Sequence, residues 1–281
     1  MKRIVCPFDF SDAAENAAEY AAQLAKRGNM HLRLLHIDHI ATWHGVVPLD
    51  GGVLPYVDDE AADTEERLKS YAAGIEERFG VSCDSSVKVY AEPLALSLGK
   101  EVAADDVELV VMGTRGADDA IDKLVGTNTY QAIRKMNKPF LLVPGACAFK
   151  PILKVLYATD YSPADGSNIR HLLELTKPYR VTILHITKKG TLISDEVFQC
   201  FRDVLEDEFG EKRPLVFKRT VGEDIPALLR EAMAGEDLLV LLAKQYNVFQ
   251  KVFHRSTIRR LSFLADFPIL IYPNPPSHGA G

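Results

Sequence analysis

The chain contains two copies of one sequence pattern, and this repeat constrains its fold more than any other feature. The segment from Lys154 to Ser162 (KVLYATDYS) resembles the segment from Arg3 to Ser11 (RIVCPFDFS), which places Asp160 opposite Asp9 at an offset of 151 residues. Near the ends of the copies the offset is 129, as between Glu108 and Asp237. A repeat of this length predicts two copies of one domain fold.

Strand-like and helix-like segments alternate within the first copy. Arg3 to Phe8 and Glu108 to Met112 are short apolar runs, and Ser11 precedes a helical pattern from Ala13 to Arg27. Further strands are predicted at 31–37, 85–90 and 140–143, and further helices at 67–79, 93–104 and 130–136. This alternation predicts an α/β fold, an open parallel sheet covered by helices on both faces.

The predicted domains cover residues 1–146 and 151–275, and the short segment GACAFKP at 145–151 joins them. A connection this short predicts that the halves pack together. The second copy is shorter mainly because it lacks a counterpart of Ala41 to Glu60, which we interpret as a loop after the second strand of the first copy.

Composition excludes several classes of protein. The net charge of −6 and the pI of about 5.8 give no general basic surface, so no nucleic-acid or anionic-membrane partner is predicted. No apolar run reaches the roughly 18 residues of a spanning helix, and the first residues resemble a strand more than a secretory signal, so a cytoplasmic location is predicted. The four cysteines form no CxxC pair, and the loosely spaced His36, His39 and His44 make no metal signature.

The most informative motif is Gly113-Thr114-Arg115-Gly116, followed after nine residues by Gly126-Thr127-Asn128. It comes directly after the apolar strand that ends at Met112, and ligands of open parallel sheets bind at the carboxyl ends of strands. Glycines let backbone N–H groups approach an anion, and a helix beginning after Asn128 favours negative charge at its N-terminus. The motif therefore predicts a phosphate site, with Asp9 close enough to accept from a ribose hydroxyl or an adenine amine.

Together with Pro7-Phe8-Asp9-Phe10-Ser11, this motif resembles the ATP-binding subclass of the universal stress protein (UspA) family, and the resemblance covers both copies. It implies two Rossmann-like, adenine nucleotide alpha hydrolase-like domains, each with a five-stranded parallel sheet. It also implies an internal pseudo-dimer through the last strands of the two domains, which leaves other surfaces for a homodimer. The implied ligand is ATP, or AMP or ADP, alone or with Mg²⁺. The implied site residues are Pro7, Asp9, Ile37, Met112, Gly113, Gly116, Gly126, Thr127 and Asn128.

The second copy departs from the motif. Leu242, Gln245 and Arg255 stand in place of the three glycines, so we expect the second domain not to bind ATP in the same way. Asp160 and Ser162 are retained, and either ligand contact or capping and turn formation explains them.

The resemblance favours a stress-response regulatory protein in which ATP orders the loop from Gly113 to Asn128. Two alternatives stay open: a slow ATPase or phosphotransferase acting through the first domain, and a structural scaffold without a nucleotide. No catalytic residue is predicted, because the sequence holds no P-loop, nucleophile elbow or interpretable carboxylate pair.

Overall fold

The computed structural model describes residues 1–39, 56–90, 92–114, 137–188, 194–210, 214–242 and 266–273. Its strands are β1 Arg3–Pro7, β2 His31–His39, β3 Cys83–Tyr90, β4 Val107–Thr114, β5 Phe140–Pro144, β6 Lys154–Thr159, β7 Arg180–Thr187, β8 Leu215–Val221, β9 Leu238–Leu242 and β10 Ile269–Tyr272. The helices in these ranges are α1 Asp12–Gly28, α2 Tyr56–Phe79, α3 Leu94–Glu101, α4 Asp165–Thr176, α5 Asp195–Phe209 and α6 Ile225–Ala232.

The ten strands in the described ranges belong to one sheet with the order β3-β2-β1-β4-β5-β10-β9-β6-β7-β8. Each half is a parallel five-stranded sheet, and the second half repeats the strand order of the first. The halves meet where β5 and β10 pair in antiparallel orientation. The predicted α/β class, with an open five-stranded parallel sheet in each half, is confirmed.

Helices cover both faces of the sheet, as predicted. Ile4, Cys6 and Phe8 of β1 lie in a core that includes buried residues of α1, α2, α4 and α5. Val5 points to the other face, into a core that includes buried residues of α3 and α6. Because side chains alternate along a strand, the eight inner strands contribute to both cores, whereas the edge strands β3 and β8 contribute only to the core that holds Ile4; each core runs across both halves.

Helix α1 begins and ends at residues whose types mark helix ends in the sequence. The Ser11 side chain accepts a hydrogen bond from Ala14 N at 3.3 Å and so caps the helix. Asn29 ends it in the left-handed conformation with φ 50°. Its buried face is mostly alanine, which lets the helix lie close to the sheet.

Other boundaries differ from the prediction. Helix α2 begins at Tyr56 instead of Arg67, so the predicted loop from Ala41 to Glu60 is wrong for its last five residues, 56–60. In sequence, the segment YVDDEAAD at 56–63 carries few apolar residues, so hydrophobic periodicity does not predict a helix there. The helix predicted at 130–136 lies outside the described residues.

Side chains at the junction connect the two halves. The Asn16 amide donates to Pro144 O at 3.0 Å and to Cys147 O at 3.1 Å, which fixes the connecting segment against α1. His171 of α4 lies 3.0 Å from a Glu108 carboxylate oxygen on β4. Within the described chain, no helix combines the length and apolarity needed to cross a bilayer.

Candidate functional site

The candidate site lies at the carboxyl ends of the adjacent strands β2, β1 and β4. In the strand order β3-β2-β1-β4-β5 the crossovers from β1 and from β3 leave in opposite directions, which makes this edge a topological switch point. The structure brings five predicted residues to this edge: Pro7, Asp9, Ile37, Met112 and Gly113. Gly116, Gly126, Thr127 and Asn128 lie outside the described residues.

Three of these residues make an apolar strip on the α3 side of the sheet. Ile37 and Met112 are half-buried and pack against the core of that side. Pro7 is half-buried and shares this face because side chains alternate from Val5. A flat apolar strip at the strand ends suits one face of a planar base.

Asp9 has a structural role in the turn after β1. One of its carboxylate oxygens accepts from Ser11 N at 3.1 Å and from the Ser11 hydroxyl at 2.6 Å. The intervening Phe10 has φ 61°, a conformation that side chains seldom adopt. Asp9 is exposed, and its second oxygen has no hydrogen bond to any described residue. It therefore holds the turn and still has an acceptor facing the solvent.

His36 fixes the same turn from the neighbouring strand. Its Nδ1 lies 2.6 Å from Phe8 O, and its Nε2 lies 3.0 Å from a carboxylate oxygen of Asp38. The imidazole thus connects the end of β1 to the Asp38 carboxylate. Repetition of this histidine as His185 in the second copy indicates a structural role in both halves.

Gly113 is required by helix packing. A Cβ built on it would lie 2.1 Å from Ala13 O, so only glycine allows β4 to pass the start of α1. The next residue, Thr114, is 5 % exposed, and its hydroxyl has no partner among the described residues. The phosphate contact predicted for Gly113 stays a prediction.

The same edge of the second half is filled by side chains. Ala158, Leu241 and Leu242 correspond to Pro7, Met112 and Gly113, and all three are buried. Leu242 occupies the position at which Gly113 of the first half leaves room for the start of α1. Helix α4 accordingly begins at Asp165, two positions beyond Pro163, which is the counterpart of the first residue of α1.

Asp165 closes the turn of the second half. This fully buried carboxylate accepts from the Tyr157 hydroxyl at 2.7 Å, from the Thr159 hydroxyl at 2.5 Å and from Ser162 N at 2.9 Å. Burial raises the pKa of Asp165 from 3.8 to about 6, although these hydrogen bonds oppose the shift. Its counterpart Ala14 has no polar side chain, so the two turns are built differently.

Comparison with known proteins decides the family. The sequence model described as "Universal stress protein family" matches residues 1–144, which is more than half of the chain.

The chain belongs to the universal stress protein family.

Solved structures resemble this universal stress protein over nearly its whole length. A universal stress protein from Archaeoglobus fulgidus DSM 4304 superposes with a TM-score of 0.72 at 16% identity, covering 97% of this chain and 98% of that chain. A putative universal stress protein from Pseudomonas aeruginosa UCBPP-PA14 gives a TM-score of 0.53 at 14% identity, with 97% and 93% covered. At identities of 16% and 14%, these superpositions show that the fold is shared. Among the curated proteins no sequence match is found.

Asp160 does not repeat the structural role of Asp9 in this universal stress protein. Ser162 N donates to Asp165, and Tyr161 N donates to the Thr159 hydroxyl at 2.7 Å. Asp160 itself is exposed and makes no hydrogen bond within the described part of the chain. The turn that Asp9 makes in the first half is therefore made by Thr159 and Asp165 in the second.

The described residues also contain no group of three or more histidine, cysteine, aspartate or glutamate side chains placed to hold a metal ion. His44 and the acidic segment around residue 119 lie outside those residues. Among the described residues, the strand ends of the first half bring an exposed carboxylate and half-buried apolar side chains together.

Proposed function

We propose that the protein is a tandem universal stress protein that regulates a stress response by binding ATP, or AMP or ADP, in its first domain. The second domain, from about residue 151 onward, acts as a pseudo-dimer partner that binds no nucleotide. The observation that carries the proposal is the difference between two equivalent edges of one sheet. The first edge has half-buried Pro7, Met112 and Gly113, whereas the second has fully packed side chains.

The described residues fit the nucleoside part of such a ligand. Asp9 offers a solvent-facing carboxylate oxygen to a ribose or base donor, while Ile37 and Met112 offer an apolar surface to the ring. A carboxylate already hydrogen-bonded to Ser11 is held in position, which lowers the entropy cost of binding. Gly116, Gly126, Thr127 and Asn128 would hold the phosphates, and Mg²⁺ bound with them would reduce their charge.

Binding of the nucleotide to the first domain would serve as the regulatory signal. The proposed phosphate contacts belong to the segment between β4 and β5, next to the strand at which the halves meet. A ligand that joins this segment to Asp9 and Ile37 changes the surface that a partner protein encounters. The predicted role is therefore sensing, with no turnover required.

Nucleotide content and ATP titration test the proposal. Freshly purified protein is denatured, the released nucleotide is separated by chromatography, and ATP binding is then measured by calorimetry. We expect a single nucleotide per chain and loss of binding in Gly126→Arg. Asp9→Asn keeps an acceptor for Ser11 but weakens the ribose or base contact, so affinity should fall about tenfold.

Asp160→Asn is the matched control, because Asp160 is the exposed counterpart of Asp9 in the second half. Its ATP affinity should equal that of the wild type. Equal losses in Asp9→Asn and Asp160→Asn, or neither released nucleotide nor measurable binding, would contradict a nucleotide site confined to the first domain.

A further inference from the structure

His185 has a buried nitrogen without a partner. Its Nδ1 lies 2.9 Å from Thr159 O, and a carbonyl only accepts, so Nδ1 carries the proton and Nε2 points away from β6. His185 is 6 % exposed, and Nε2 makes no hydrogen bond to a described residue. In the first half, His36 makes the corresponding bond to Phe8, but its Nε2 faces the Asp38 carboxylate.

Two further polar side chains lie beside His185. The ring of Tyr161 stacks on the imidazole with centroids 4.2 Å apart, and its hydroxyl is buried without a partner in the described residues. Arg219 of β8 lies directly opposite His185 in the register of β7 and β8. At the corresponding positions of the first half, Phe10 replaces Tyr161, Val87 replaces Arg219, and Asp38 replaces Thr187.

All three differences change the electrostatic surroundings of His185 in the same way. Relative to the first half, the second gains a hydroxyl at Tyr161, gains a guanidinium at Arg219, and loses a carboxylate at Thr187. Each change makes the surroundings of His185 more favourable to a negative charge.

One positive and one negative charge lie near His185. Burial is the main cause that lowers the pKa of His185, and Arg219 lowers it further, while the hydrogen bond to Thr159 O and the Asp160 carboxylate oppose them. One Arg219 nitrogen lies 2.6 Å from an Asp195 carboxylate oxygen, but the Asp195 side chain is 88 % exposed. Because an exposed ion pair is weak, an anion competes with Asp195 for the guanidinium, which also lies 5.0 Å from the centre of the Phe198 ring.

We propose that Tyr161, His185 and Arg219 bind a tetrahedral oxyanion of the phosphate and sulfate class, and that His185 takes up a proton when the anion binds. A neutral His185 would turn a lone pair toward the anion, whereas a protonated one donates from Nε2. Three donors from three side chains suit a tetrahedral ion better than a carboxylate.

This oxyanion site is separate from the proposed nucleotide site. His185 shares its face with Ile183, on the α5 side of the sheet, whereas the apolar strip of the first half lies on the α3 side. β8 is an edge strand, so Arg219 is reached from the open edge of the sheet.

Titration with sulfate tests the site, because the charge of sulfate does not change between mildly acidic and mildly basic pH. The imidazole signals of His185 are followed by NMR in the full-length protein, with ionic strength held constant by sodium chloride. We expect a saturable shift, an increase in the pKa of His185 with sulfate, and affinity roughly tenfold higher near pH 5.5 than near pH 8. Glycerol phosphate in a parallel titration distinguishes a phosphate ester, bound more tightly than sulfate, from a free ion.

Variants that restore residues of the first half provide the controls. Thr187→Asp places a carboxylate beside His185, and Arg219→Val removes the guanidinium, so each should abolish the shift. Tyr161→Phe should weaken binding several-fold. Arg202→Val removes a positive charge elsewhere on α5 and should bind like the wild type. Retention of full sulfate binding in folded Thr187→Asp and Arg219→Val, or no saturable shift in the wild type near pH 5.5, would overturn the proposal.

Discussion

Leu141 lies directly opposite Leu270 where β5 and β10 pair, and the two leucines occupy the same position in their respective halves. On either side the pairs exchange, since Leu142 lies opposite Ile269 and Phe140 opposite Ile271. A local two-fold axis therefore passes between Leu141 and Leu270. Both leucines are almost completely buried, so the junction has the character of a protein interior.

Leu270→Ala should destabilise the whole protein. The leucine is 0 % exposed at the centre of the sheet, and a buried Leu→Ala substitution costs about 2–5 kcal/mol through lost transfer free energy and a residual cavity. Urea unfolding measures the loss. Leu96→Ala on α3, where the side chain is 41 % exposed, should change stability by less than about 0.5 kcal/mol. Equal effects of the two substitutions would show that the junction is not packed as described.

Gly113→Ala should lower the melting temperature, because its Cβ would lie 2.1 Å from Ala13 O and force α1 away from β4. Overpacking of this kind costs roughly 1–3 kcal/mol. Gly74→Ala is the matched control. No atom lies within 4 Å of the added Cβ, and alanine in a helix interior should stabilise the protein by about 1 kcal/mol. A stabilised Gly113→Ala protein would disprove the close approach.

Titration of Asp165 should lower the free energy of unfolding as the pH rises from about 4 to about 6. Its pKa is about 6 in the folded chain and near 3.8 when unfolded, so the unfolded chain loses the proton first and is favoured over this range. The free energy of unfolding should fall by up to about 3 kcal/mol. The Asp165→Asn variant should not show this fall in the free energy of unfolding. Urea unfolding of both proteins between about pH 4 and about pH 7 measures it, and parallel profiles would show that Asp165 does not titrate there.

Lys177→Gly should stabilise the protein. Lys177 ends α4 with φ 47°, a left-handed conformation that costs a residue with a Cβ about 1 kcal/mol relative to glycine. Its N–H still donates to Leu173 O at 3.1 Å, which needs no side chain. Lys177→Ala retains the conformational cost, so its thermal midpoint should stay near that of the wild type. A gain in the alanine variant equal to that in glycine would point to the lysine charge instead.

Much of the fold followed from local pattern. The alternation of apolar runs with the alanine-rich segment after Ser11 predicted β1, α1 and the parallel order, because each element has its own periodicity and cap. The start of α2 did not follow, since its first turns are mainly acidic and form no apolar stripe. Local periodicity cannot locate a helix end that depends on charges.

The candidate site at the strand ends was predictable only in part, because some of its contacts depend on the folded structure and not on local sequence pattern. Asp9 could be placed at a strand end, with ligand contact and turn formation both open for it, and only the structure shows its carboxylate accepting from Ser11 across the Phe10 turn. Asp165 resembled an ordinary acidic residue in the first turn of a helix, and only the fold shows that it is buried beneath that turn. The need for glycine at Gly113 likewise arises from a helix distant in sequence, which no local pattern contains.

The antiparallel pairing of β5 with β10 also covers two apolar strand edges. Phe140–Pro144 is buried along its whole length, and either half alone would expose such a strand as an unpaired apolar edge open to any matching strand. Joining the halves in one chain keeps the correct strand adjacent at all times. Because both strands belong to one chain, the pairing is intramolecular, and its stability should not depend on protein concentration.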